Sequence, residues 1–153
     1  MDKTQTVLDT TINFLAQMGF TDKIKPKVSF DEVSDRYLIL LETDNPALLI
    51  GYHGNTLSGL QLFLGQHLHQ ILGEWINLTV DVNDYRQRRE QSLKTLADST
   101  VEKVLSSNQA YILPPMPASE RRVVHMYLAE HPQVSTASSG LGRERSVIIS
   151  PKV

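Results

Sequence analysis

The apolar residues change period along the chain, and the order of those periods constrains the fold more than any single motif. Residues 3–18 repeat at helical spacing, with Val7, Leu8, Ile12, Leu15 and Met18 on one face and Gly19 placed to stop the helix. The next stretch alternates instead. Val28 and Phe30 in KVSFDEV, then the run DRYLILLET, read as two strands, and Ser34-Asp35 between them suits a tight turn, so a hairpin is predicted. Pro46 opens a short helix ending near Ile50. A longer helix spans about 55–72, with Leu57, Leu60, Leu64, Leu68 and Ile71 inward and Gly73 at its end. WINLTVDV returns to alternation over Ile76, Leu78, Val80 and Val82. The order is α-β-β-α-α-β.

The second half opens on a helix over about 84–106, whose stripe is Leu93, Leu96, Ala97, Val101 and Val104. YIL is a short strand, PPMP breaks the chain, and a helix follows at about 118–130. QVSTAS and RERSVIIS read as strands around SGLG, giving α-β-α-β-β. The expected class is α+β, as two small α/β sandwich units, residues 1–82 and 83–153.

Charge separates the same halves. Of 15 Lys+Arg and 17 Asp+Glu, residues 1–82 hold 5 and 10, net −5, and residues 83–153 hold 10 and 7, net +3. A polyanion is held most easily by the second half. With no cysteine, disulfides, thiolate metal sites and cysteine nucleophiles are excluded. No apolar run approaches the roughly 20 residues of a membrane helix, and the N-terminus lacks a secretory apolar core, so a cytoplasmic protein without membrane insertion is expected.

Two motifs carry chemistry. Gly51-Tyr52-His53-Gly54 joins two helices. Glycine allows positive φ and close backbone approach, and the helix that follows offers unpaired N–H groups and a positive dipole end. His53 adds charge there only when protonated. The second motif is ERRVVHMYL, where Arg121 and His125 lie four apart on one helical face. A guanidinium fork and an imidazole so placed suit one phosphate, the Arg bidentate and the His as donor.

A Gly-x-x-Gly turn between two helices, after a hairpin and before a third strand, resembles the bacterial-type KH domain, whose loop clamps about four nucleotides. PMPASERRVVH and VSTASSG resemble the domain named for its Arg-x-x-x-His motif. A KH unit followed directly by that domain is the arrangement of the bacterial Jag family of RNA-binding proteins. The resemblance implies a clamp at Gly51, Tyr52, His53 and Gly54, bases received beside it near Ile50, Leu57 and Leu60, and phosphates at Arg121 and His125. Arg122, Arg143 and Arg145 would add contacts. Jag proteins usually carry an Arg or Lys inside the glycine loop, where this chain has Tyr52 and His53. They commonly carry a separate N-terminal Jag domain, which this chain is expected to lack.

The expected function is therefore non-catalytic binding of single-stranded RNA, with no cofactor and no metal. His67 and His69 are two apart on a helix and point away from each other, and no phosphate-binding Gly-x-x-x-x-Gly-Lys loop or Gly-x-Ser-x-Gly elbow is present. Two alternatives keep other partners: single-stranded DNA at the same sites, or a protein docked on the acidic first unit, either another KH protein or a second copy. Trp75 is expected as a buried anchor, its alternative an exposed ring that stacks on a base. Tyr85 with Arg86, Arg88 and Arg89 reads either as a stacking and phosphate contact or as a solvated helix start.

Overall fold

In the computed structural model, which describes residues 3–20 and 23–152, the chain divides into two compact units, Met1–Arg86 and Gln87–Val153. The first unit runs helix α1 (Lys3–Gln17), strands β1 (Ile24–Asp31) and β2 (Arg36–Thr43), short helix α2 (Ala47–Ile50), helix α3 (Asn55–Leu72) and strand β3 (Leu78–Val82). This is the α-β-β-α-α-β order of the sequence reading. The sheet order is β1-β2-β3. The β1–β2 pair is antiparallel, with Val28 opposite Ile39, and β2 runs parallel to β3, with Ile39 opposite Val80.

The hairpin turn is held by Asp31. Its carboxylate accepts from the Val33 N–H at 3.1 Å and from the Ser34 hydroxyl at 2.6 Å, and Asp35 closes the turn at φ 47°. The Ser34 and Val33 bonds hold the Asp31 carboxyl below its ordinary pKa. The core gathers Val7, Ile39, Leu57, Leu64, Leu68 and Val80, all essentially inaccessible. Full burial of each such side chain contributes about 1.5–3 kcal/mol.

Four expectations are corrected. The inward face of α1 passes through Val7, Thr11 and Leu15, and Ile12 and Met18 are exposed. Thr11 is tolerated there because its hydroxyl donates to the Val7 carbonyl at 2.7 Å. Ile71 lies on the outer face of α3 and is exposed, and Ile76 precedes β3 rather than belonging to it. Trp75 is not a buried anchor but 68% exposed.

The second unit begins within helix α4 (Tyr85–Ser107) and continues through β4 (Tyr111–Ile112), α5 (Ala118–Leu128), β5 (Val134–Ser139) and β6 (Ser146–Pro151). Its antiparallel sheet has the order β4-β6-β5. Leu93, Ala97, Val104, Val124, Val134 and Ile149 form its core. Arg89 of α4 holds Glu120 of α5 by two bonds, Nε–Oε1 at 2.7 Å and Nη2–Oε2 at 2.9 Å, with Glu120 buried. Among the described residues no helix is long and apolar enough to cross a membrane.

Candidate nucleic-acid interface

The glycine turn is built by three residues of positive φ: Gly51 (69°), His53 (50°) and Gly54 (77°). Each glycine is required by a neighbour. A Cβ on Gly51 would lie 2.0 Å from Thr56 Oγ1 and 2.7 Å from Thr56 Cβ. A Cβ on Gly54 would lie 3.0 Å from the Tyr85 ring. Gly54 caps α3 without a side-chain hydrogen bond, so no side chain of the cap serves the first N–H groups of that helix. Tyr52 is exposed and meets His53 edge-on, with ring centroids 4.2 Å apart. Of the aliphatic residues expected beside the turn, Leu57 belongs to the core and Ile50 packs against it. Leu60 also lines a cavity of about 320 Å³ with Phe14, Leu48 and Phe63.

The start of α4 is neither a solvated helix end nor a free stacking patch. Tyr85 packs against the first core and the glycine turn. Arg86 donates from Nε to the Val80 carbonyl at 3.1 Å and from Nη2 to Gln61 Oε1 at 3.1 Å. Arg89 is engaged by Glu120.

In the second unit α5 starts after Pro117 and lays Arg121 and His125 against β5. The Arg121 guanidinium donates from Nη1 to Ser138 Oγ at 3.1 Å and from Nε to the Met116 carbonyl at 3.3 Å. His125 is clasped by two hydroxyls, Thr136 Oγ1 at Nδ1 (2.7 Å) and Ser138 Oγ at Nε2 (2.8 Å). Both ring nitrogens are engaged in either tautomer, so His125 is not a free donor as the motif alone suggests. Its pKa is pushed below the ordinary histidine value by burial, then by the Arg121 charge. Arg122 is exposed on α5. Arg143 and Arg145 lie apart from this cluster, on the loop between β5 and β6, where Arg145 donates to the Gly140 carbonyl at 3.1 Å. Thr136 and Ser138 are the residues that motif reasoning missed. Their signal was the period of two in VSTAS, which puts 134, 136 and 138 on one face.

Residues 91–151 match the family model of the domain named for its Arg-x-x-x-His motif. Three curated relatives carry the name RNA-binding protein KhpB. That of Lactiplantibacillus plantarum is 36% identical over 120 residues, 78% of this chain and 37% of the relative. That of Bacillus subtilis is 38% identical over 112 residues, covering 71% and 53%. The Clostridium symbiosum protein aligns over 150 residues at 32% identity, covering 97% of this chain and 68% of the relative. The chain belongs to the KhpB family. It spans well under two thirds of the Lactiplantibacillus and Bacillus proteins.

In this KhpB-family chain the matched domain contains Arg121, His125, Thr136 and Ser138, and the glycine turn lies outside it. The state of His125 has a measurable consequence. Its folded pKa is depressed, so the unfolded chain binds its proton first. The neutral ring's contribution is fully present above about pH 6.5, the unfolded value, and is lost as pH falls from there towards the folded value. Urea denaturation of the second unit is expected to show lower stability at acid pH than at neutral pH, and His125→Asn is expected to flatten that difference.

Proposed function

We propose that this KhpB-family chain is a non-catalytic, cytoplasmic single-stranded RNA-binding protein. The observation that carries this reading is the setting of Arg121. Two of its nitrogens are tied to Ser138 and to the Met116 carbonyl, and Nη2 has no hydrogen-bond partner among the described residues. A guanidinium fixed in this way loses little side-chain freedom on meeting a phosphate oxygen. His125 then acts by holding Ser138, and Arg122, Arg143 and Arg145 add cationic contacts on the same unit. The glycine turn supplies a second contact, in which the N-terminus of α3 receives the sugar–phosphate backbone. The KhpB relatives are named as RNA-binding proteins, which supports RNA over DNA. Single-stranded DNA at the same sites is separated by competition with matched oligomers, because only RNA offers the 2′-OH.

Anisotropy titration of labelled RNA tests the reading. Arg121→Ala is expected to weaken binding about tenfold, similarly across sequences, and to lower the salt slope by about one. Unchanged affinity and slope would count against it.

A second reading is favoured by one observation. The cavity of about 320 Å³ is apolar, and Leu48 and Phe63 at its rim are 63% and 62% exposed. On this reading the acidic first unit docks a protein, either another KH protein or a second copy. Gly54→Asp in the same titration separates the two. The substitution damages an RNA clamp at the turn, and RNA affinity that survives it leaves the first unit to a protein partner.

A further inference from the structure

At the end of α3 remote from the glycine turn lies an aromatic feature that the proposed interface does not use. The helix has 18 residues, so its ends are about 27 Å apart. Just beyond its C-terminus, Trp75 stacks on His69 with ring centroids 4.1 Å apart and planes within 7°. One face of the indole is covered by His69, and a ring 68% exposed keeps the other open. His69 Nδ1 is buried without a hydrogen-bond partner among the described residues, so the stack rather than a bond at that atom holds the imidazole. The arrangement is a preformed flat platform.

A cavity of about 270 Å³ adjoins it, lined by Trp75, Phe30, Tyr37, Asp35, Glu74 and Asn77, with Lys3. This is near the lower bound of small-molecule sites, roughly 300 Å³, and suits one ring system. The wall is fixed. Phe30 and Tyr37 pack at 4.8 Å, Asn77 Nδ2 donates to the Asp35 carbonyl at 3.2 Å, and the Tyr37 N–H donates to the Asn77 carbonyl at 2.9 Å. Lys3 pairs with Glu74 at 2.7 Å, which offsets one of the two carboxylates. A neutral ring is therefore favoured over an organic cation. The remaining acidity disfavours phosphate, so the contact is to a base and not to the backbone. Carboxylates accept from exocyclic amino groups, which adenine, cytosine and guanine carry and uracil lacks.

We propose that Trp75 is the stacking platform for one amino-bearing base of the bound single strand, a contact separate from the glycine turn and from Arg121. The inference rests on the RNA-binding reading and deepens it.

Trp75 is the only tryptophan of the chain, so its emission reports this site directly. The full chain is titrated with labelled oligo(A), oligo(C) and oligo(U) RNAs of equal length, following label anisotropy and tryptophan emission together. Quenching by oligo(A) and oligo(C) exceeding that by oligo(U) is expected. Trp75→Ala is expected to weaken oligo(A) binding about five-fold or more with the salt slope unchanged, because a stack carries no phosphate. Trp75→Phe should retain most of the affinity. The quenching readout needs no variant, so the test stands even where Trp75→Ala folds poorly. RNA that binds by anisotropy while emission stays constant and Trp75→Ala binds normally overturns the platform and leaves the RNA reading intact. No anisotropy change with any oligomer overturns both.

Discussion

Gly51→Ala is expected to destabilise the first unit by about 3–4 kcal/mol, the largest effect of any single methyl added to this chain. Gly51 has φ 69° and ψ −170°, a region populated almost only by glycine. The added Cβ would also meet Thr56 at its hydroxyl, its Cβ and its backbone nitrogen, at 2.0, 2.7 and 3.0 Å. Rotating the Thr56 side chain relieves the first contact only. Gly54→Ala is expected to cost less, about 1–2 kcal/mol, since φ 77° and ψ 13° lie in the left-handed helical region and its neighbour is a ring that can shift. Urea unfolding followed by Trp75 emission reads both, because that residue belongs to the first unit. Equal stability of Gly51→Ala and the parent chain would mean that the glycine is kept for ligand approach alone.

Glu120→Ala is expected to cost the second unit about 2–3 kcal/mol. Breaking a buried ion pair leaves an uncompensated charge and costs about 3–5 kcal/mol. Here the Glu120 side chain is 8% exposed and that of Arg89 31%, so water reaches the arginine and reduces the penalty. Glu120→Gln should recover part of it, since the amide oxygen still accepts one bond. The substitution also acts on function. Glu120 precedes Arg121 on α5 and ties that helix to α4, so loosening it frees the guanidinium that Ser138 and Met116 position. Chemical denaturation with anisotropy on the same samples separates stability from affinity. A variant with unchanged unfolding would show the pair to be worth no more than a surface contact.

The element order was legible because strands and helices here carry clean apolar periods, and Leu57, Leu60, Leu64 and Leu68 all turn inward as their spacing requires. Where the reading failed, a polar residue took an apolar role or an apolar one stood outside an element. Thr11 is inaccessible because its hydroxyl is satisfied within its own helix, and hydropathy spacing favours Ile12 over it. Trp75 follows the glycine that ends α3 and precedes β3, so no packed face receives it. The Arg121–His125 pair was visible as an interval of four. Its partners Thr136 and Ser138 were not, because the contact crosses from a helix to a strand. The pairing of Gly54 with Tyr85, 31 positions apart, has no local signature at all.

That pairing also defines where the first unit is complete as a folding body. Its last strand ends at Val82, and a cut there is what the sheet alone would recommend. Yet the ring behind Gly54 belongs to Tyr85, and the guanidinium bonded to Val80 and Gln61 belongs to Arg86. A fragment ending at residue 82 would keep every strand and lose the packing under its glycine turn. The first turn of α4 is thus a buttress of that turn, and the smallest self-sufficient form of the unit includes it.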